Sequence, residues 1–308
     1  MRRARPARAA AGRRDQLISL LRAAGCVFAE DEADLLIAAA PGPAELAAMA
    51  QRRAAGLPLE QVVGWAEFCG LRIAVADGVF VPRRRTGFLV AQAAALARRR
   101  PAPAVVVDLC CGSGAIGAAI AAALAADGTR PGEDGPGGPG RLELHAADAD
   151  PAAVACARRN LAGLGQVWPG DLFAALPGGL RGRVDVLAAN VPYVPAGEIS
   201  LLPAEARLYE PRLAVDGGPD GLDVARRVAA GAPQWLAPGG TLLIETSERQ
   251  APAASASFAA AGLRPRVTWS DELAATVVTG QLPADIAAGP AGAGPVPGSP
   301  LAAERRNR

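Results

Sequence analysis

A short polar motif near the middle of the chain carries the functional groups needed to bind a planar NH2 group. The motif consists of Asn190, Val191, Pro192 and Tyr193, and it directly follows the apolar run at 184–189. Such a run predicts a buried parallel strand, and ligands of open α/β sheets bind at the carboxyl ends of strands. The side-chain oxygen of Asn190 and the backbone carbonyl of Val191 can each accept one N–H, and Pro192 stiffens the turn. The motif is a candidate for modifying the nitrogen of an amide or an exocyclic base amine, and a polar turn that closes a strand is the alternative.

A glycine-rich loop follows the first predicted strand of the same region. Gly112, Gly114 and Gly117 form the pattern G-x-G-x-x-G, which by itself is weak evidence for a bound dinucleotide. Asp108, at the end of the strand, changes this interpretation because a carboxylate there would repel an approaching pyrophosphate. It suits instead the positively charged amino acid end of S-adenosylmethionine. We therefore expect Asp108, Gly112 and Gly114 to bind that cofactor.

Further acidic residues follow the next two predicted strands. Asp148 ends the second strand, where an acid bonds ribose hydroxyls in either cofactor class, and Asp150 occupies the N-cap position of the next helix. Asp171 and Phe173 follow the third strand, where they could bind the adenine amine and stack against the adenine ring. A turn or cap role is the alternative for Asp171. We expect Asp148, Asp171 and Phe173 to contact the cofactor.

The composition argues against several other functions. The net charge of the 308 residues is only +2 and aromatic residues make up 4%, which argues against a dedicated nucleic-acid surface. The five cysteines include no C-x-x-C pair and the single histidine is His145, so we expect neither a metal site nor a disulfide framework. The sequence has no uninterrupted apolar run of about 18 residues, and we therefore expect no membrane span. These features are typical of a cytoplasmic protein.

The spacing of apolar residues predicts two domains. Residues 15–64 have the pattern of short helices separated by prolines and glycines, which predicts a small helical domain. Residues 65–84 are predicted to form a β-hairpin linker with its turn at Asp77-Gly78. Residues 1–14 and 284–308 are expected to be disordered tails.

Apolar strands alternate with helices from residue 85 to residue 283. Strands are predicted at 105–107, 142–147, around Val167, 184–189 and 240–245, with helices at 115–126 and 151–161. A last pair of strands, at 265–269 and 274–279, has no long helix between its members and is expected to be antiparallel. This order predicts an α/β fold with a doubly wound, mostly parallel sheet and a late antiparallel hairpin. A Gly/Pro-rich insertion at 127–140 is expected to be a loop.

With these motifs in order, the chain resembles the S-adenosylmethionine-dependent glutamine-N5 methyltransferases that modify release factors. The resemblance extends over residues 61–280. The family's loop D-L-G-T-G-S-G corresponds to residues 108–114, with Cys110 and Cys111 at two of its positions, and its N-P-P-Y motif corresponds to residues 190–193. More specific matches to the family follow at Glu210-Pro211, 216–222, 238–240, Glu245 and Gln250.

The resemblance implies a fold, a cofactor and an acceptor. The fold is the Rossmann-like fold of class I methyltransferases, the cofactor is S-adenosylmethionine, and the acceptor is a glutamine of a protein substrate such as a peptide chain release factor. Asn190 and the Val191 carbonyl would accept the two N–H groups of the glutamine amide, while Tyr193 packs against the amide plane or serves as a core aromatic. Cys110 and Asn190 would contact the cofactor, and the helical domain would dock the protein substrate.

The chain departs from the family at three places. The family's hinge, I-P-R-P-E-T-E, corresponds to residues 81–87, where Arg84 and Arg85 replace a proline and an acid and Gly87 replaces a glutamate. Cys110 replaces a glycine, and Val191 replaces a proline but retains the carbonyl group that the motif needs. The altered hinge indicates a divergent subgroup whose protein substrate could differ from a release factor.

Other functions stay open at this point. An adenine-N6 methyltransferase would use the same motif, although it would need a basic groove and stacking aromatic residues to bind its nucleic acid. A ribosomal protein could supply the glutamine. An NAD-dependent oxidoreductase is disfavoured by Asp108, and a non-catalytic binding protein with this fold is disfavoured by the presence of Asn190.

Overall fold

The computed structural model of the protein describes residues 4–126 and 142–284, with side chains described from Gly12 onward. The loop expected at 127–140 and all but the first residue of the tail expected at 284–308 lie outside the described residues. Among the described residues, no helix is long and apolar enough to cross a membrane.

The N-terminal part of the chain is helical, as expected. Helices α1 to α4 have the bounds Ala4–Ala23, Ala29–Ala39, Pro43–Ala54 and Leu59–Val63. They enclose a core of their own, in which Leu21 and Leu36 are fully buried. Helix α1 already begins at Ala4, so much of the segment expected to be a disordered tail is helical. Alanine and arginine dominate this segment, and both are strong helix formers.

A short antiparallel hairpin follows the helices. Strands β1 (Trp65–Phe68) and β2 (Leu71–Ala74) are joined by Cys69 and Gly70, whose φ angles are +51° and +76°. Two successive residues with positive φ are typical of the tightest hairpin turns. The turn predicted at Asp77-Gly78 is wrong, because this dipeptide lies beyond the end of β2 and closes a separate turn.

Seven strands of the described residues form one sheet. In chain order they are β3 (Ala104–Leu109), β4 (Leu142–Asp148), β5 (Gly165–Pro169), β6 (Val184–Ala189), β7 (Leu236–Thr246), β8 (Arg264–Ser270) and β9 (Ala275–Gln281). Their order across the sheet is β5-β4-β3-β6-β7-β9-β8, and β9 is antiparallel to both of its neighbours. The α/β fold with a mostly parallel sheet and a late antiparallel hairpin is confirmed.

Helices cover both faces of this sheet. Helices α5 (Gly87–Ala97), α6 (Ala115–Ala126) and α7 (Pro151–Asn160) pack on one face, where Val106 and Ala188 point. Helices α10 (Asp223–Gly231) and α11 (Ala251–Ala260) pack on the other face with Val107 and Leu187. Two short helices, α8 (Ala204–Tyr209) and α9 (Arg212–Val215), lie in the long connection between β6 and α10.

The order of the strands reverses at β3, because β4 and β5 lie on one side of it and β6 and β7 on the other. Strand β3 pairs with β4 on one side and with β6 on the other, and both pairings are parallel. Such a reversal of strand order opens a crevice beyond the carboxyl ends of the strands. Asp108 at the end of β3, Asp148 at the end of β4 and Asn190 just after β6 are therefore brought to the same edge of the sheet.

Candidate active site

A large cavity lies at this edge of the sheet, and most of the predicted site residues line it. They are Cys110, Gly112, Asp148, Asp171, Asn190, Val191, Pro192 and Tyr193. Three predicted residues are not in its wall, namely Asp108, Gly114 and Phe173. The sequence predicted no cofactor contact for the further lining residues, which include Phe68, Phe80, Thr86, Asp150, Leu172, Leu202, Leu213 and Arg227.

The glycine loop faces the cavity with its backbone. Cys110, Gly112 and Gly114 have φ angles of +55°, +54° and +77°, a region that favours glycine. A Cβ atom on Gly112 would meet no atom within 4 Å, so open space lies beside the backbone at this point. A Cβ on Gly114 would lie 3.2 Å from the backbone of Ala157 in α7. Gly114 therefore allows the loop to pack closely on α7, while Gly112 presents its backbone to the cavity.

Asp148 connects the glycine loop to the end of β4. Its Oδ2 accepts a hydrogen bond from the N–H of Gly112 and its Oδ1 accepts one from the N–H of Asp150, both at 2.9 Å. Burial raises the pKa of the Asp148 carboxyl above its usual value. Asp150 caps α7 as expected, since its Oδ1 accepts a hydrogen bond from the N–H of Ala152 at 2.8 Å.

Asp108 lies beneath the glycine loop rather than in the cavity wall. Its side chain is fully buried, and Oδ2 accepts a hydrogen bond from the N–H of Gly117 in α6 at 3.0 Å. Oδ1 has no partner among the described residues. Burial raises the pKa of this carboxyl to about 7. In this position Asp108 holds the first turn of α6 next to the loop.

The residues after β5 differ from the expectation. Asp171 lines the cavity and forms an ion pair with Arg227, with 2.5 Å between Oδ2 and a guanidinium nitrogen. The ring of Phe173 stacks on Trp235, with 5.6 Å between ring centroids, and does not reach the cavity. Leu172 lines the cavity in its place. Leu172 has a φ of +47°, which turns the chain at this point. A leucine in the sequence does not predict a turn of this kind.

The acceptor turn, residues 190–193, presents two free carbonyl oxygens. The Asn190 side chain donates from Nδ2 to the hydroxyl of Thr86 at 3.4 Å, which leaves Oδ1 as an unused acceptor. No described residue donates a hydrogen bond to this Oδ1 or to the Val191 carbonyl. Val191 is only 2% exposed and also lines the cavity, so the valine anchors the turn at the cavity wall.

A brace on the far side fixes the acceptor turn. The amide of Gln250 donates to the carbonyls of Tyr193 and Asp220, each at 2.9 Å. A Cβ on Gly221 would lie 2.3 Å from the Tyr193 carbonyl oxygen, so only glycine fits between these segments. These residues match the family pattern, but the sequence alone indicates no role for them. Their role is to hold the turn in place.

Two buried carboxylates bind two of the three arginines of the hinge, Arg83 and Arg85. Glu210 pairs with Arg83 at 2.5 Å, and it also accepts a hydrogen bond from the N–H of Val81 at 3.3 Å. Glu245, whose side chain is 2% exposed, pairs with Arg85 at 3.0 Å. Burial raises the pKa of Glu210 above its usual value. The hinge is therefore fixed by partners far away in the sequence.

The helical domain contacts the rim of the cavity. The hydroxyl of Tyr209 in α8 donates to the carbonyl of Ala55 at 2.6 Å, and Glu205 pairs with Arg53 of α3 at 2.9 Å. The same helix α8 contributes Ala206 to the cavity wall.

The lining residues fit S-adenosylmethionine better than a nucleotide diphosphate. Asp148 and Asp150 offer carboxylates for hydroxyl or ammonium groups, and the glycine loop leaves space beside its backbone. Arg83, Arg85 and Arg227, the arginines of the described lining, are each bound to a carboxylate. A pyrophosphate would therefore meet acids rather than free cations.

Comparison with known proteins shows the family to which the chain belongs. A release factor glutamine methyltransferase of Geobacter sulfurreducens is 36% identical over 226 residues, which cover 71% of this chain and 72% of that protein. A second, from Cereibacter sphaeroides, is 39% identical over 231 residues and 73% of each chain. The chain belongs to the release factor glutamine methyltransferase family. It is therefore an enzyme of the methyltransferase class.

A third relative is named for an amino acid substrate and not for a release factor. The 4-amino-L-phenylalanine/4-methylamino-L-phenylalanine methyltransferase of Streptomyces pristinaespiralis is 34% identical over 248 residues, which cover 79% of both chains. No model of a known protein family matches the chain.

Proposed function

We propose that this protein transfers a methyl group from S-adenosylmethionine to the side-chain amide nitrogen of a glutamine in a peptide chain release factor. The observation that carries this proposal is the pair of unused acceptors, Asn190 Oδ1 and the Val191 carbonyl, at the cavity wall. Two adjacent acceptors match the two N–H groups of a primary amide. The same proposal locates the protein in the cytoplasm, because release factors act on ribosomes there.

The cofactor end of the cavity lies around the glycine loop. When bound, S-adenosylmethionine supplies an electrophilic methyl group on a sulfonium. Asp148 and Asp150 would bind its hydroxyl and ammonium groups, and Cys110 and Gly112 would face it with their backbone. Leu172 and Asp171 would contact the adenine, with Leu172 in the place expected for Phe173. Asp108 would act indirectly, by holding the start of α6.

The acceptor turn compensates for the poor nucleophilicity of an amide nitrogen, whose lone pair is delocalised. Hydrogen bonds from the amide to Asn190 and Val191 favour a more pyramidal nitrogen and stabilise the positive charge that develops on it. The brace formed by Gln250 and Gly221 keeps both acceptors in position, so little reorganisation is needed during transfer. The methylated nitrogen is acidic and loses its proton without a strong base.

The helical domain is proposed to dock the protein substrate. It contacts the cavity rim through α8, and it exposes Val27 and Phe28 to 83% and 68%. Neighbouring apolar residues that are exposed in this way are typical of a surface that binds a protein.

A small aromatic amine is the second candidate for the acceptor. The Streptomyces pristinaespiralis relative is named for such a substrate, and the cavity wall includes Phe80, Pro82, Leu202 and Leu213. An aromatic amine also carries a delocalised NH2 group that the two acceptors could bind. An adenine in a nucleic acid is less favoured, because the arginines of the described cavity wall are already paired with acids.

The experiment is a competition between acceptors. The purified protein is incubated with isotope-labelled S-adenosylmethionine and, in separate reactions, with release factors, ribosomal proteins, 4-amino-phenylalanine and total RNA. Tandem mass spectrometry then locates the label. The proposal expects one methyl group on a release-factor glutamine. Label on 4-amino-phenylalanine, on RNA or on a ribosomal protein, with unlabelled release factor, would refute it.

A further inference from the structure

The hinge contacts the acceptor turn at both ends of that turn. Residues 84–86 form a single helical turn before α5, which we call the hinge turn. The hydroxyl of Thr86 accepts a hydrogen bond from Asn190, the first residue of the acceptor turn. The guanidinium of Arg85 donates to the hydroxyl of Tyr193, the last residue, and lies 5.6 Å from the centre of its ring. Two successive hinge residues therefore bracket the acceptor turn.

Arg85 is itself held from the other side. Its Nε donates to Oε1 of Glu245 at 3.0 Å, and the hydroxyl of Tyr193 donates to the same oxygen at 3.5 Å. Each of these three side chains thus contacts the other two. The other oxygen of Glu245 is buried without a partner among the described residues, so the ion pair with Arg85 is what compensates this carboxylate.

The neighbouring arginine makes no comparable contact. Arg84 is exposed, and no described residue pairs with its guanidinium. The two arginines that distinguish this hinge from the family pattern are therefore different in role. Both arginines are exposed, but only Arg85 contacts Tyr193 of the acceptor turn and Glu245.

We propose that Arg85 is a positioning residue for methyl transfer. The inference rests on the proposed function of the acceptor turn and adds that an arginine, where the family has an acid, braces Tyr193 against Glu245. A planar guanidinium can bind the phenol and the carboxylate together, which a lysine ammonium does less well. Glu245 also neutralises the arginine, whose free charge would oppose the positive charge that develops on the acceptor nitrogen.

The first test separates binding from turnover. Arg85→Ala is expected to lower kcat about 10- to 100-fold, because small displacements of a reacting group have effects of this size. The affinity for S-adenosylmethionine should stay within about twofold, and Arg85→Lys should recover only part of kcat. Arg84→Ala is the matched control and should behave like the wild type. Equal losses in the two alanine variants, or an unchanged kcat in Arg85→Ala, would overturn the proposal.

The second test reports the contact without any substrate. The chain has two tyrosines, Tyr193 and Tyr209. Protein labelled with fluorotyrosine should give two fluorine NMR signals, and Tyr209→Phe assigns them. The Tyr193 signal should shift in Arg85→Ala and stay in place in Arg84→Ala; a Tyr193 signal insensitive to Arg85 contradicts the proposal. If the wild type methylates no glutamine, the proposed function fails while this signal still decides whether Arg85 positions Tyr193.

Discussion

The carboxylate of Asp148 accepts a hydrogen bond from the backbone N–H of Gly112, with 2.9 Å between the two atoms. Asp148 ends β4, whereas Gly112 belongs to the loop after β3, so the bond joins two neighbouring strand ends. The same carboxylate accepts from the N–H of Asp150. One acid thus shapes the glycine loop and also lines the cavity.

Replacement of Asp148 should therefore weaken cofactor binding through two effects. Asp148→Ala removes a carboxylate from the cavity and frees the N–H of Gly112, and hydrogen bonds to charged groups contribute about 1.5–3 kcal/mol. We expect the dissociation constant for S-adenosylmethionine, measured by calorimetry, to rise about 10- to 100-fold. Glu67→Gln, which changes an exposed acid of β1 outside the cavity wall, should leave it unchanged. A value for Asp148→Ala close to that of Glu67→Gln would contradict this role.

Leu172 and Phe173 form a matched pair of variants that tests the proposed contact with adenine. Leu172→Ala removes apolar surface from the cavity wall, so we expect weaker binding of S-adenosylmethionine. Phe173→Leu alters the contact with Trp235 and should lower the thermal stability with little effect on that affinity. Calorimetry and thermal unfolding of both variants check this. The reverse pattern would restore the stacking role that the sequence suggested for Phe173.

Cys110 occupies a backbone conformation that suits glycine. Its φ of +55° costs an L-residue about 1–2 kcal/mol, and glycine avoids most of this cost. We expect Cys110→Gly to raise the free energy of unfolding by up to about 1 kcal/mol, since the more flexible unfolded chain offsets part of the gain. Cys110→Val should lower it, because β-branched residues tolerate positive φ poorly. Urea unfolding of the three proteins gives the order; equal stabilities would show that the loop relaxes.

Asp108 should make the stability depend on pH. Burial raises its pKa from 3.8 in the unfolded chain to about 7 in the folded protein, so the folded state binds the proton more tightly between these values. The contribution of Asp108 to stability is therefore fully present below about pH 4 and is lost as the pH rises through about 7. Asp108→Asn, which cannot ionise, should show a smaller decline of the unfolding free energy from pH 5 to pH 8. Parallel curves for the two proteins would show that Asp108 does not titrate in this range.

The strands were predictable because their residues are apolar without interruption. Strands β3 and β6 are buried on both faces, and such strands appear in a sequence as continuous apolar runs. The absence of a long helix between β8 and β9 predicts their antiparallel pairing. The hairpin turn is not predictable in the same way, because Asp77-Gly78 matches the strongest turn signal, while the observed turn uses Cys69 at positive φ.

Only those site residues that directly follow a strand were predictable from the sequence. Motif residues such as Asn190 and Asp148 follow strands directly, so the topology of the sheet places them at the cavity. The contact of Arg85 with Glu245 joins positions 160 residues apart, and no local pattern encodes it. Leu172 lines the cavity instead of Phe173, and the positive φ of Leu172 at this turn has no signature in the sequence. Such features arise from the packing of distant segments.

Asn190 is proposed to position the glutamine amide at the acceptor turn for methyl transfer. The most direct measurement is the single-turnover rate of methyl transfer to release-factor glutamine by Asn190→Ala, with enzyme and S-adenosylmethionine in excess over the acceptor. The variant should lose about 10²- to 10³-fold in this rate, because one of two positioned acceptors is gone, while calorimetry shows nearly unchanged affinity for the cofactor. A rate comparable to that of the wild type would contradict the assignment of the acceptor turn.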